Sequence, residues 1–442
     1  MTRRDKKILW VGGLLVLAYA GWLVTIKVVL SHDIASPEDA DLQSVRMAVL
    51  DKDNAFVLFS EAGERLDLPP ESRETLDEIL QDERYDPAVV EDLLRRNAEA
   101  MRLWQEGLER PALQVPRIER LEDSFADISP SLDLARVADL QSVCLDREGK
   151  HAEAVEQALR IVHFGRMIMG AGGDMLTWTV GAVVVEERGL ARIRKMVPEA
   201  RLTPDQMRDY VARLAPIPPP GHDLAEALRV EYQVVARAVE DLYASNPMLS
   251  EEPPYQPHPR RAPAPNFILQ VNRTKRMIAQ RIRTAIANAA RPQAGRIPSE
   301  PPPKVDESLS SFLWALATGN GVGKLLVGQF AHAWDSCLEP KYVRNTRLGA
   351  TRLLLALKAY KRDKDRLPER LDDLVPEYLD SVPQDDFSGQ PFHYVPDKKV
   401  FYSVGKDLAD DGGEARPYDE PAEGNDNENP QDRLDLVFPI PF

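Results

Sequence analysis

Cysteine is almost missing from this chain: Cys144 and Cys337 are the two in 442 residues. Two cannot build the multi-bridge framework of a small secreted domain, and no C-x-x-C is present to hold zinc or exchange disulfides. The expectation is of two free, buried thiols. Histidine is also sparse, with seven residues. No H-E-x-x-H occurs, and His332 with Asp335 has no third ligand on its helical segment, so it reads as a packed or surface residue. G-x-S-x-G is absent as well. The stretch "GNGVGK" (319–324) fails as a phosphate loop, because Thr318 stands where glycine is needed and Leu325 where serine or threonine is needed. It reads as a turn between helices at 309–317 and 324–337. Basic residues are in deficit, 56 against 71 acidic, for a formal charge of −15. That balance argues against a nucleic-acid binder. Carboxylate pairs are plentiful, but on solvated helix faces their abundance selects no mechanism. The expected function is therefore non-enzymatic, with a membrane-anchored hydrolase using carboxylates of the helical region as the alternative.

The N-terminus holds a long apolar run. From Ile8 to Ile26 there are nineteen residues without a charge, and apolar residues continue to Leu30. At about 1.5 Å per residue this approaches the roughly 30 Å hydrocarbon core of a bilayer. Arg3, Arg4, Lys6 and Lys7 precede the run, and Asp33, Glu38, Asp39 and Asp41 follow it. The positive-inside rule then places a transmembrane anchor at Ile8–Leu30, with the N-terminus cytoplasmic and the bulk of the chain extracytoplasmic. The competing reading is a cleaved signal peptide, since Ala18-Tyr-Ala20 fits an A-x-A site.

With 43% hydrophobic residues, the chain can bury real cores, and its 36 prolines cluster between candidate folded parts. The divisions expected are residues 1–34 (anchor), 35–248 (helical domain), 249–306 (Pro-rich linkers), 307–342 (connecting helices) and 343–442 (a terminal module). Ala88–Leu108 carries Val89, Leu93, Ala98, Met101 and Leu108 near one stripe. Ala135–Arg147 and Ala152–Met169 read as a helix hairpin turning at Gly149, and helices follow at 174–197, 203–214 and 223–243. No clean 34-residue period appears, so the body is expected to be solenoid-like rather than a true repeat array. Between the Pro-rich stretches 250–265 and 291–304 lies Asn266–Ala290, a basic amphipathic helix with Val271, Ile278, Ile282 and Ile286 on one face. Such a helix can lie on anionic lipid, dock on an acidic partner such as the chain's own tail, or simply pack on the body.

The last hundred residues change character. Val343–Lys361 places Ala350, Leu353, Leu354, Leu357 and Tyr360 at i, i+3, i+4, i+7 spacing. Short aromatic and β-branched runs follow at 392–395 and 400–404 with "PDKK" as a hairpin turn, and 434–438 is a third strand candidate. One helix on a small antiparallel sheet is an α+β module. The loop "YSVGKDLADDGG" (402–413) crowds three aspartates beside two glycines. From Tyr402 to Asp435 there are eleven acidic and three basic side chains, a net of −8. Those charges repel, and a cation, a basic partner or plain hydration must compensate them. The expected fold class is mainly α, a helical and solenoid-like body with an N-terminal transmembrane helix and a small C-terminal α+β module.

In order along the chain, Tyr360, Asp363, Pro368, Pro383, Asp385, Phe387, Gly389, Pro391, Tyr394, Tyr402, Ser403, Gly405 and Asp407 follow a known pattern. Over 343–442 the sequence resembles the globular domain of the major pseudopilin of type II secretion. That family binds calcium in its last loop. The resemblance implies calcium ligands at the Val404 carbonyl and the Asp407 carboxylate, with further oxygens from Asp410, Asp411 and Asp435. The chemistry agrees, since calcium takes six to eight oxygen ligands. It is not an EF-hand, because Ala409 and Tyr418 occupy positions where that loop needs acidic residues. Three departures stand out. Leu408 replaces the glycine usual after the aspartate, an acidic stretch lengthens the loop, and the N-terminal run lacks the prepilin processing motif. The module therefore reads as a borrowed domain on an anchored helical protein. The whole also resembles membrane-anchored bacterial proteins that have no assigned activity. The expected role is interaction or assembly in the bacterial envelope, possible partners being the bilayer through Ile8–Leu30 and an envelope protein, and secretion the implied context.

Overall fold

The computed structural model describes residues 32–44, 48–82, 84–120, 123, 127–170, 175–215, 222–245, 268–301, 319–414 and 435–442, with isolated positions at 17 and 21. The body begins with four short helices: α1 (Ala55–Glu64), α2 (Pro70–Leu80), α3 (Pro87–Arg96) and α4 (Ala98–Leu108). The stripe expected to run unbroken through 88–108 is split at Asn97. Its amide is fully buried, donates to the Leu93 carbonyl at 2.9 Å and accepts from the Asp67 N–H at 2.8 Å. Asparagine here satisfies backbone groups outside the helix ladder, which ends one helix and starts the next.

Three long helices follow, α5 (Ser129–Arg147), α6 (His151–Gly170) and α7 (Met175–Met196). Gly149 makes the α5–α6 turn at φ +75°, in the left-handed region open to glycine. The α6–α7 pair approaches closely at Gly165, where a Cβ would stand 2.5 Å from the Glu186 backbone nitrogen. Next come α8 (Pro204–Arg213), started by a capping box between Thr203 and Gln206, and α9 (His222–Ser245). Helices α10 (Val271–Ala289), α11 (Gly321–Ser336) and α12 (Glu339–Lys364) lead to the sheet. The N-terminus of α10 has no cap on its own strand of chain. Asp33, far away in sequence, accepts the N–H groups of Asn272 (2.7 Å) and Arg273 (3.0 Å) instead.

Strands β1 (His393–Val395), β2 (Val400–Ser403) and β3 (Leu436–Pro439) form an antiparallel sheet in the order β1-β2-β3. Val395 faces Val400 across the 396–399 turn, and Phe401 faces Phe438.

Among the described residues, apolar burial is divided among three large cores and a small cluster of Ile118, Val230 and Val234. One gathers α1–α6 and the start of α7 around Trp104, Phe59 and Phe164. A second joins α6, α7 and α8 to α12 and the sheet. A third holds α9, α10, α11 and the start of α12, with Phe387 and Val404 from the terminal region. Helix α12 thus belongs to two cores, and the second core runs without a break from the helical body into the sheet. Its expected apolar stripe is buried, but so are Thr351, Arg352, Leu355, Ala356, Lys358 and Ala359. Between residues 350 and 360 the helix is enclosed all round, because α7 and α8 cover one side and the sheet with the 371–379 turns covers the other.

One part of the expected fold class is corrected. Among the described residues no helix is long and apolar enough to cross a membrane. The long helices carry charges inside their length; α12, at 26 residues, holds Lys341, Arg344, Arg347, Arg352 and Lys358 before its last turn. Such spacing suits packing against protein rather than hydrocarbon. The run Ile8–Leu30, on which the anchor was placed, lies outside the described residues apart from Leu17 and Gly21, as do the Pro-rich stretch 250–265, the helix expected at 309–317 and the acidic stretch 415–434.

Candidate functional site

The acidic loop starts where β2 ends. Val404 is buried in the third core, and the chain reverses at Gly405, φ +69°. Leu408 takes φ +63°, a left-handed conformation that favours glycine, at the position where the pseudopilin pattern has one. Asp407 is exposed, and its carboxylate accepts the Ala409 N–H at 3.0 Å. Asp410 accepts the Tyr402 hydroxyl at 3.0 Å and the Gly412 N–H at 2.9 Å, and lies 3.5 Å from His393 Nδ1. Those donors hold its carboxyl below the usual range. Asp411 is exposed.

Asp435 differs from the other acids. It is 5% exposed, one oxygen accepts the Gly413 N–H at 2.8 Å, and the other is buried with no hydrogen-bond partner. Burial raises its pKa, the backbone N–H groups of Gly413 and Asp411 pull it back, and the nearby charges of Asp410 and Asp411 add to the rise. Three of the five expected ligand residues are therefore close enough to act on one another, and one presents an orphaned acceptor. That donor chemistry suits a hard, oxygen-seeking cation. Among the described residues, however, no three His, Cys, Asp or Glu side chains are gathered closely enough to hold a metal ion.

The other sequence candidates are bound up in architecture. Cys144 and Cys337 are free thiols, and burial pushes Cys337 up to about 12, leaving it protonated at neutral pH. His332 is exposed, while Asp335 accepts the Ser299 hydroxyl at 2.7 Å. In "GNGVGK" the buried Asn320 accepts from the Gln270 N–H (2.7 Å) and the Thr274 hydroxyl (3.1 Å), tying α11 to α10. Helix α10 buries Val271, Ile278 and Ile282 against α9 and α11, and Lys275 and Arg283 pair with Glu240 and Asp41, each at 2.7 Å. Its apolar face is thus covered by protein. Asp385, one of the pseudopilin-pattern residues, is 1% exposed and accepts from Ser403 (2.7 Å), Thr346 (3.1 Å) and the Phe387 N–H (3.1 Å), pinning the 383–391 loop to α12 and β2.

A second site was not foreseen. At the junction of α7, α9, α12 and the loop 380–386 lies a cavity of about 520 Å³. Lys341 on its wall contacts Asp386 at 2.9 Å and the Arg291 carbonyl at 2.6 Å. Burial moves Lys341 down and Asp386 up, against the pull of each partner. Arg344 reaches from the wall to Glu186, which is fully buried and also binds Arg166 at 2.9 Å. Three helices supply that cluster from positions 166, 186 and 344, so no local spacing announces it. For the cavity wall beside it, a signal was available in "GATRLLLALKAY", where Arg352 and Lys358 interrupt an apolar ridge.

Compared with protein-family models, curated proteins and solved structures, the chain matches none.

Proposed function

We propose that this chain is a non-catalytic interaction protein whose terminal sheet and acidic loop are stabilised by calcium. The observation that carries the reading is Asp435: a buried carboxylate with one oxygen unpartnered and two like charges beside it. Asp435, Asp410 and Asp411 would hold the ion together with the Val404 carbonyl and Asp407. Bound there, calcium supplies positive charge that offsets the mutual repulsion of the acids. The sheet shares its core with α12 and the body, so the loop sits on a rigid support and presents a fixed acidic surface to a partner. A role in binding rather than turnover is supported by the commitment of Asp385 and Asp363 to internal hydrogen bonds. The order of residues that resembles the pseudopilin domain adds to this reading.

The test is thermal unfolding of the full chain in chelator, in calcium and in magnesium. Calcium at about 100 times its Kd adds about 2.7 kcal/mol to stability. The wild type should gain in Tm with calcium and not with magnesium, and Asp435→Asn and Asp407→Ala should each lose the gain. No calcium shift, or an equal shift in both variants, overturns the proposal.

A further inference from the structure

The cavity at the α7–α12 junction holds a buried cation that forms no ion pair with any described residue. Arg352, on α12, lines it and is 6% exposed. Its Nε donates to the Val211 carbonyl at 3.4 Å, and it forms no ion pair with any described residue. Behind the same wall, Arg166 and Arg344 share the single carboxylate of Glu186. Among the described residues Arg352 is therefore the one cation of the wall with no carboxylate paired to it; Asp223, half-buried at the rim, also lines the cavity but forms no ion pair with it. Lys341 and Asp386 cancel each other. Asp380 is the attractive charge felt by Arg352, but it is exposed and makes no pair with it, while Arg166 repels.

A buried arginine without a partner is an expensive group to retain. Desolvating a guanidinium is unfavourable unless an anion and hydrogen bonds compensate it. Guanidinium also cannot escape by losing its proton in the physiological range. Its planar fork matches the two oxygens of a carboxylate or phosphate. Met169, Val180, Val183, Leu224, Leu348 and Val382 give the lining an apolar side, while Asp223, Asn345 and Gln384 are among its polar groups. About 520 Å³ falls within the range of small-molecule pockets, and the mix of apolar wall with a few convergent polar groups is typical of them.

We propose that this cavity binds a small amphipathic oxyanion, its carboxylate or phosphate head held by Arg352 and its aliphatic body against the valine and leucine wall. The proposal is independent of the calcium loop, with which it shares no ligand residue.

The experiment is isothermal titration calorimetry of the full chain with sodium decanoate, decyl phosphate and decanol. The two anions share the oxyanion chemistry and differ in charge, so their relative affinities identify the preferred head group; decanol carries the same body without it. Decanoate or decyl phosphate should bind at least tenfold more tightly than decanol, and Arg352→Met should remove that preference. Arg352→Met should also raise the Tm of the ligand-free protein, since it removes an unpaired buried charge. A second variant, Val180→Trp, fills the cavity from a position 40% exposed to solvent and should abolish binding without disturbing the core. Equal affinity for decanol, no binding of either anion, or undiminished binding in Arg352→Met or Val180→Trp overturns the proposal.

Discussion

Replacing Glu186 by glutamine tests the junction most sharply. Glutamine keeps the shape of the side chain, so no cavity opens and the change isolates charge. Glu186 is fully buried, and the side chains of its partners Arg166 and Arg344 are 11% and 15% exposed. With the carboxylate neutralised, two largely desolvated guanidinium groups face each other beside unpaired Arg352. Breaking a buried ion pair from one side costs about 3–5 kcal/mol, most of it from the charge left uncompensated. The effect should be mechanical as well, because Arg166, Glu186 and Arg344 join α6, α7 and α12. The control is Glu99→Gln, whose pair with Arg102 at 2.8 Å is more than half exposed on both sides and contributes little to stability. Urea unfolding followed by far-ultraviolet circular dichroism reads both variants. At an m-value near 3 kcal/mol/M, Glu186→Gln should lower the midpoint by about 1 M or more with m unchanged. The triple change Arg166→Met, Glu186→Leu, Arg344→Met should recover most of that loss, since a well-packed apolar replacement of a buried ionic cluster is close to neutral. If Glu186→Gln costs no more than Glu99→Gln, the junction is hydrated and the excess charge there is screened.

Three further outcomes are expected. Gly165→Ala should destabilise by about 1–3 kcal/mol in the same assay, because its Cβ would meet the Glu186 backbone at 2.5 Å and must push α6 from α7. Lys358→Met should cost about 1–3 kcal/mol, since buried Lys358 donates to the carbonyls of Val197, Pro198 and Ala200 just past the end of α7, and a loss within error would show that water replaces it. The third concerns pH. The folded pKa of Asp435 lies above its unfolded value, so the folded state binds more protons through that window and stability falls as pH rises from the ordinary carboxylate range through the raised pKa. Calcium-free wild type should therefore lose stability over that window relative to Asp435→Asn, and calcium should reverse the difference; identical pH profiles for the two proteins without calcium would contradict the assignment.

Secondary structure was largely legible from local patterns. The turn at Gly149, the helix over 203–214, the long helix ending near Lys361 and the hairpin around 396–399 all follow from residue types at short spacing, where backbone conformation is decided by neighbours along the chain. The crowding of acids at 407–411 was equally visible, because repulsion between adjacent charges needs no fold to be recognised. Distance in sequence hid the rest. Asn97 looked like one more polar residue on a helix face until Asp67 was placed beside it. Lys358 and Arg352 looked like the solvated side of an amphipathic helix, and only the packing of α7 and α8 on one flank and the sheet on the other buries them. Asp33 became the cap of a helix more than two hundred residues away. The Glu186 cluster and the cavity beside it arise because three helices converge, and desolvation, which sets the energy of a charge, is a property of that convergence rather than of any stretch of chain. Composition and periodicity settled which segments are helix and strand; which charges lack compensation was decided by tertiary packing alone.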